Sequence, residues 1–278
     1  MQVRETWQEP TGLTASLNRV RLSADGSLPH AFSYRVLVEY ESASGPRTAA
    51  AVALRDAYVR WTHAPWSISA GQFKTPFSRE YLTSITAIET ADRSTVVDTL
   101  ATKRDVGVMG ECAAPWGAAA LGVFNGEGQN ATLNRDSTLL VVSRLSARPL
   151  AELTVAGSVA AYGDDSTRYG AEASIERSGG LLRGEVIGQH RQGRGRDDLG
   201  WFILGGWRIA PWLQLIARQE DFQRPSLGVA RRISATTGGA NVDLPGGRTR
   251  LLLNFVSRTT GSPRVSRQAW ITQLQVRF

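Results

Sequence analysis

The final eleven residues, QAWITQLQVRF, place Trp270, Thr272, Leu274, Val276 and Phe278 on one face of an extended chain and Ile271, Gln273, Gln275 and Arg277 on the other. Successive side chains of a strand point to opposite sides, so this segment is greasy on one face and wet on the other. The pattern recurs. Phe32, Tyr34, Val36, Val38 and Tyr40 alternate with Ser33, Arg35, Leu37 and Glu39, and Thr249, Leu251, Leu253 and Phe255 alternate with Arg250, Leu252 and Asn254. Tyr169, Ala171, Ala173 and Ile175 alternate with Arg168, Glu172 and Glu176. No apolar run reaches the roughly 18 residues of a membrane-spanning helix. A chain of this kind crosses a membrane only by closing its strands into a ring, because an open sheet edge in lipid leaves backbone groups unpaired. A soluble sandwich is the alternative built from the same alternation.

Reading alternation for strands and Gly, Pro, Asp and Asn clusters for breaks gives sixteen segments: 2–8, 15–24, 31–41, 50–62, 66–74, 104–111, 116–125, 137–146, 152–162, 167–178, 181–191, 199–209, 212–222, 231–244, 247–258 and 268–278. Tight connections such as 63–65, 178–180, 210–211 and 245–246 mostly alternate with longer ones such as 125–136, 192–198 and 259–266. Short turns at one end, long loops at the other and an even strand number are the habit of bacterial outer-membrane barrels. Trp201, Trp207, Trp212 and Trp270 fall near strand ends, where an interfacial aromatic girdle needs them. The predicted fold is all-β: a transmembrane antiparallel β-barrel of about 16 strands formed by residues 1–278.

One connection is too long for a turn. After the strand leading to Gln72, Thr75-Pro76 removes a backbone donor, and residues 75–103 follow without strand alternation. Loops of that length are commonly functional. Lys74, Arg79, Arg93, Lys103 and Arg104 here face Glu80, Glu89, Asp92 and Asp98, a near balance that predicts a field across a pore rather than an unbroken basic ladder.

Composition supplies the sign of charge. The 278 residues include 28 Gly and only 2 Met, which fits one large β-rich domain. There are 32 basic against 25 acidic residues, and all the basic ones but Lys74 and Lys103 are arginine, whose planar fork of donors suits carboxylate and phosphate oxygens. An arginine facing lipid near mid-membrane costs roughly 2–4 kcal/mol, so the strand register that turns arginines inward is strongly preferred. Wall candidates for a pore are Arg19, Arg21, Arg35, Arg60 and Arg250, with Arg144, Arg168, Arg183, Arg208, Arg218, Arg258 and Arg277 on the same faces. Glu39, Asp56, Glu172, Glu176, Glu185 and Glu220 oppose them.

Cys112 is alone and is expected in a short turn, and His30, His63 and His190 lack metal-ligand spacing. We therefore expect no disulfide, metal site or cofactor. No GxSxG-type elbow accompanies His190, so we expect no catalytic residue. The amino end, MQVRETWQ, carries Arg4 and Glu5 ahead of any apolar core; it is not a signal-peptide pattern, and we expect a chain trimmed at its start.

The blocks GQFKTPFSREYLTS at 71–84, ADRS at 91–94, RDVGVMGE at 104–111 and GVFNGEGQN at 122–130 together resemble the phosphate-selective porin O and P family, most strongly over residues 17–150. That resemblance implies an outer-membrane pore narrowed by the long loop, and a homotrimer whose walls pack at small residues such as 117–120 and 156–158. The expected function is passive diffusion of small hydrophilic solutes with a preference for anions such as phosphate or polyphosphate. Lys74, Arg79, Arg93, Lys103, Arg104, Arg19, Arg21, Arg35, Arg60 and Arg250 are the expected pore-lining, anion-binding residues. A weakly selective general pore is one alternative, and a soluble basic protein binding acidic polymers another. Arginines spread over most strands, rather than clustered with aromatics on one outer face, argue against nucleic acid as a partner.

Overall fold

The computed structural model describes residues 1–42, 51–135, 137–193, 195–226, 229–261 and 264–278. Ala50 and Asp136, used above to bound a strand and a loop, lie outside the described residues. The strands are β1 (Gln2–Gln8), β2 (Gly12–Leu28), β3 (Phe32–Glu41), β4 (Ala51–His63), β5 (Trp66–Lys74), β6 (Arg104–Ala114), β7 (Gly117–Phe124) and β8 (Leu140–Leu150). They continue with β9 (Leu153–Tyr162), β10 (Ser166–Arg177), β11 (Gly180–Arg191), β12 (Asp198–Ala210), β13 (Leu213–Ser226), β14 (Val229–Asp243), β15 (Thr249–Thr260) and β16 (Val265–Val276). Each pairs antiparallel with its sequence neighbours, and β1 pairs with β16 to close the ring. Closure removes every sheet edge, which is the requirement for strands in lipid.

The faces fall as the alternation predicts. On β16, Trp270 and Leu274 are exposed while Gln273 and Gln275 are buried, Gln273 accepting from Arg4 at 2.9 Å. On β3, Phe32, Tyr34 and Val36 face out and Leu37 and Glu39 face in, and Trp201, Trp207 and Trp212 are all exposed. An apolar exterior around polar interior side chains inverts the arrangement of a soluble barrel.

Strand ends differ from the sequence reading in explicable ways. β2 runs on to Leu28 because the turn-like Asp25-Gly26 is zipped to β3: Asp25 accepts a 2.7 Å bond from Arg35, and Gly26 lies under the Tyr34 ring, which a Cβ would meet at 2.5 Å. Cys112, expected in a turn, lies within β6 opposite Trp66 and Ala119. Ser158, expected at a subunit wall, is buried and accepts a hydrogen bond from Arg144 at 3.2 Å.

Between β5 and β6 the chain forms two short helices, α1 (Arg79–Leu82) and α2 (Thr95–Leu100), whose first turns are capped by the hydroxyls of Ser78 and Ser94. Phe77, Val96, Val97 and Leu100 are fully buried and pack with Phe124, Leu140, Ile187, Phe202 and Phe222. The inward face is thus not uniformly polar. Where this connection docks, the wall supplies apolar partners, and burying them together holds the segment in place.

Candidate functional site

From β5 the connection reaches strands on the far side of the ring and bonds to their inward-facing side chains. Arg183 of β11 pairs with Glu89 at 2.6 Å, and Arg218 of β13 donates to Thr90 Oγ1 at 2.8 Å and to the Asp92 carbonyl at 2.9 Å. The Ala91 amide donates to Asn254 Oδ1 of β15 at 2.7 Å, and Arg4 of β1 pairs with Asp92 at 2.8 Å. Glu80 is buried, accepts from the Ser94 amide and hydroxyl at 2.9 and 2.8 Å, and lies 3.4 Å from Arg218. Burial pushes the Glu80 carboxyl up and pulls the Arg93 guanidinium down from their ordinary values.

Two cavities flank this segment. One, of about 520 Å³, lies along β2–β8 toward the short-turn end and brings together Arg21, Arg35, Arg60, Lys74, Arg104 and Arg144 with only Asp56 and Glu111 as acids. The other, of about 420 Å³, lies along β1 and β13–β16 toward the long-loop end, with Arg4, Arg93, Arg218, Arg258 and Arg267 against Asp92 and Glu220.

Five of the ten expected site residues, Arg21, Arg35, Arg60, Lys74 and Arg104, share the first cavity. Their partners differ. Arg104 pairs with Asp56 at 2.7 Å, Arg35 reaches Asp25 and Asp56, and Arg21 pairs with Glu39. Lys74 donates to the carbonyls of Tyr81, Leu82 and Thr83 at 2.7–3.1 Å, which sets its amine at the end of α1. Arg60 donates to Ser69 Oγ at 2.9 Å and has no carboxylate partner among the described residues. Arg19 lies beside this group on Glu39 and Glu41.

The other four are elsewhere. Arg93 borders the second cavity, donates to the carbonyls of Glu80, Tyr81 and Thr83 and stacks over the Tyr81 ring at 4.8 Å. Arg79 pairs with Glu176 at 3.1 Å, and exposed Lys103 lies 3.8 Å from Asp98. Arg250 pairs with Asp243 at 2.6 Å and borders neither cavity.

Residue reading missed Arg55, which pairs with Glu39 and Glu41. Strict alternation assigns the inside to Asp56 and Tyr58, but a bulge opposite Leu37–Val38 inserts one residue into β4, so that Arg55 and Asp56 both form ion pairs with interior groups. It also missed Arg4, and the acidic partner of exposed His190, Asp197, whose carboxylate lies 2.8 Å from Nδ1.

A closed sixteen-stranded ring with a greasy exterior and internal cavities lined by charged side chains defines the class of outer-membrane porins. The chain belongs to the phosphate-selective porin O and P family, whose model matches residues 4–164, and this places it in the bacterial outer membrane. No curated protein matches the chain. Among solved structures it is similar to the anion-selective porin from Comamonas acidovorans (12% identity, 100% of this chain and 98% of that one, TM-score 0.71). It is similar also to OmpT of Vibrio cholerae in its trimer form (12% identity, 99% and 96%, TM-score 0.69) and to the outer membrane channel DcaP of Acinetobacter baumannii (12% identity, 98% and 94%, TM-score 0.68). At that identity these likenesses concern the fold.

Proposed function

We propose that the chain is a passive diffusion pore with a preference for small anions, phosphate and polyphosphate included, narrowed by residues 75–103. The supporting observation is the first cavity, where six basic side chains meet two carboxylates and where Arg60 carries charge that no carboxylate among the described residues pairs with. Basic groups along a water-filled passage raise the local anion concentration and offset part of the ion's dehydration cost, while weak binding at several sites lets the solute leave. Arg21, Arg35 and Arg60 act on the anion directly, while Lys74, bonded to three carbonyls, and buried Arg104, bonded to Asp56, border the same cavity. Arg19, Arg79, Arg93, Lys103 and Arg250 shape the field or hold the connection. The homotrimer is part of the same reading, supported by the trimer form of the similar Vibrio cholerae protein. A weakly selective general pore is the second reading, favoured by the carboxylates that neutralise Arg21, Arg35, Arg104 and Arg144.

Reversal potential of the purified protein in a planar bilayer across a potassium chloride gradient tests this. Chloride preference is expected. Potassium preference overturns the anion assignment, and folded protein without conductance overturns the pore.

A further inference from the structure

The first cavity is not lined as a passage for inorganic ions alone needs to be. Leu37, Tyr58, Phe73 and Met109, on the inward faces of β3–β6, and Leu82 of the crossing segment border it together with the arginines. Tyr58, Phe73 and Phe124 form an edge-to-face row, with ring centroids 5.6 and 5.5 Å apart. Tyr58 is half-buried and forms the open end of that row. The row and the free charge are adjacent. Arg60 shares the inward face of β4 with Tyr58, and the register sets Arg60 opposite Ser69 of β5 and Ser69 opposite Met109 of β6. Across β4–β6 the cavity wall therefore offers a guanidinium with unused donors beside an aromatic ring and a thioether.

Resting on the reading of the chain as an anion pore, we propose that this cavity is a subsite for organic anions that carry an apolar body on one carboxylate, aromatic monocarboxylates foremost. The carboxylate takes the fork of Arg60. The ring packs against Tyr58 and Met109, contacts that favour aromatic stacking and sulfur–aromatic approach. An inorganic oxyanion or acetate uses the first part of the site and leaves the second wetted, so the cavity separates solutes of equal charge by their apolar surface.

The test is bi-ionic reversal potential with sodium benzoate against sodium acetate, beside the chloride–potassium measurement. Benzoate diffuses more slowly in water than acetate, so an unlined pore gives a benzoate-to-acetate permeability ratio below one. The expected ratio for the wild-type protein is above one, falling at least threefold in both Tyr58→Ser and Met109→Thr. Val59→Ala, on the outward face of the same strand, is expected to leave it unchanged. A wild-type ratio at or below the free-diffusion ratio overturns the subsite whether or not the variants fold, and so does an unchanged ratio in folded Tyr58→Ser. Potassium preference overturns the underlying anion reading instead, and chloride preference with a low benzoate ratio overturns the subsite alone.

Discussion

Arg60 and Arg250 carry the same charge in different circumstances. Arg60 borders the larger of the two basic cavities with, among the described residues, a serine hydroxyl as its side-chain partner, whereas Arg250 is bound to Asp243 outside both cavities. A contact between unit charges in water is worth about 1 kcal/mol, so Arg60→Gln is expected to lower the chloride-to-potassium permeability ratio by about threefold to fivefold. Arg250→Gln should change it by less than half that, both read as reversal potential. Asp56 gives a prediction with two signs. It holds Arg104, which is 5% exposed, and also reaches Arg35. Asp56→Asn leaves Arg104 without its carboxylate and is expected to cost roughly 3–5 kcal/mol in unfolding by denaturant, while raising anion preference because the cavity gains a net positive charge. At this scale the sequence showed which residues face inward but not what they bond to. Pairing depends on register between strands, and Arg55 escaped because a bulge breaks the alternation from which register is read.

The crossing segment between β5 and β6 is held by two kinds of contact. Phe77, Val96, Val97 and Leu100 pack against apolar wall residues, and Glu89, Ala91 and Asp92 are bonded to Arg183, Asn254 and Arg4 across the ring. Both kinds of contact hold the helical parts, where Ser78 and Thr95 also donate to Glu185 and Glu220, and the ion pairs of Glu89 and Asp92 hold the tip. Removing both tip carboxylates, Glu89→Ala with Asp92→Ala, leaves Arg183 and Arg4 without these partners and loosens the tip while the helices stay docked. The expected outcome is a larger and noisier single-channel conductance with unchanged heat-modifiable gel migration. Quiet conductance at the original level would show that the tip does not narrow the passage. The existence of this element was legible from Thr75-Pro76 and from the lack of alternation after it. Its course was not, because its partners are single side chains on strands more than a hundred residues away, such as Asn254 for Ala91. Strands were legible because lipid outside and water inside impose a period of two on every one of them. Only their ends moved, as at β2, where Gly26 reads as a turn but makes room for Tyr34.

For the whole molecule the governing fact is that its two surfaces have opposite chemistry. Leu253, 40% exposed near the middle of β15, belongs to the outer band with Trp201, Trp270 and Leu274, whereas Gln8 of β1 borders the second cavity. Adding one arginine at each place changes net charge equally and hydration oppositely. Leu253→Arg sets a guanidinium among acyl chains and is expected to lower folding stability by about 2–4 kcal/mol. Gln8→Arg sets it in a water-filled space already lined by Arg4, Arg258 and Arg267 and is expected to change stability by less than about 0.5 kcal/mol, with anion preference raised. Denaturant titration of the two variants folded into lipid vesicles measures the difference. If Gln8→Arg proved the costlier, the greasy face would be the inner one and the passage would be dry. A barrel turned that way could neither sit in a bilayer nor conduct, so one pair of stabilities tests the fold and the function together.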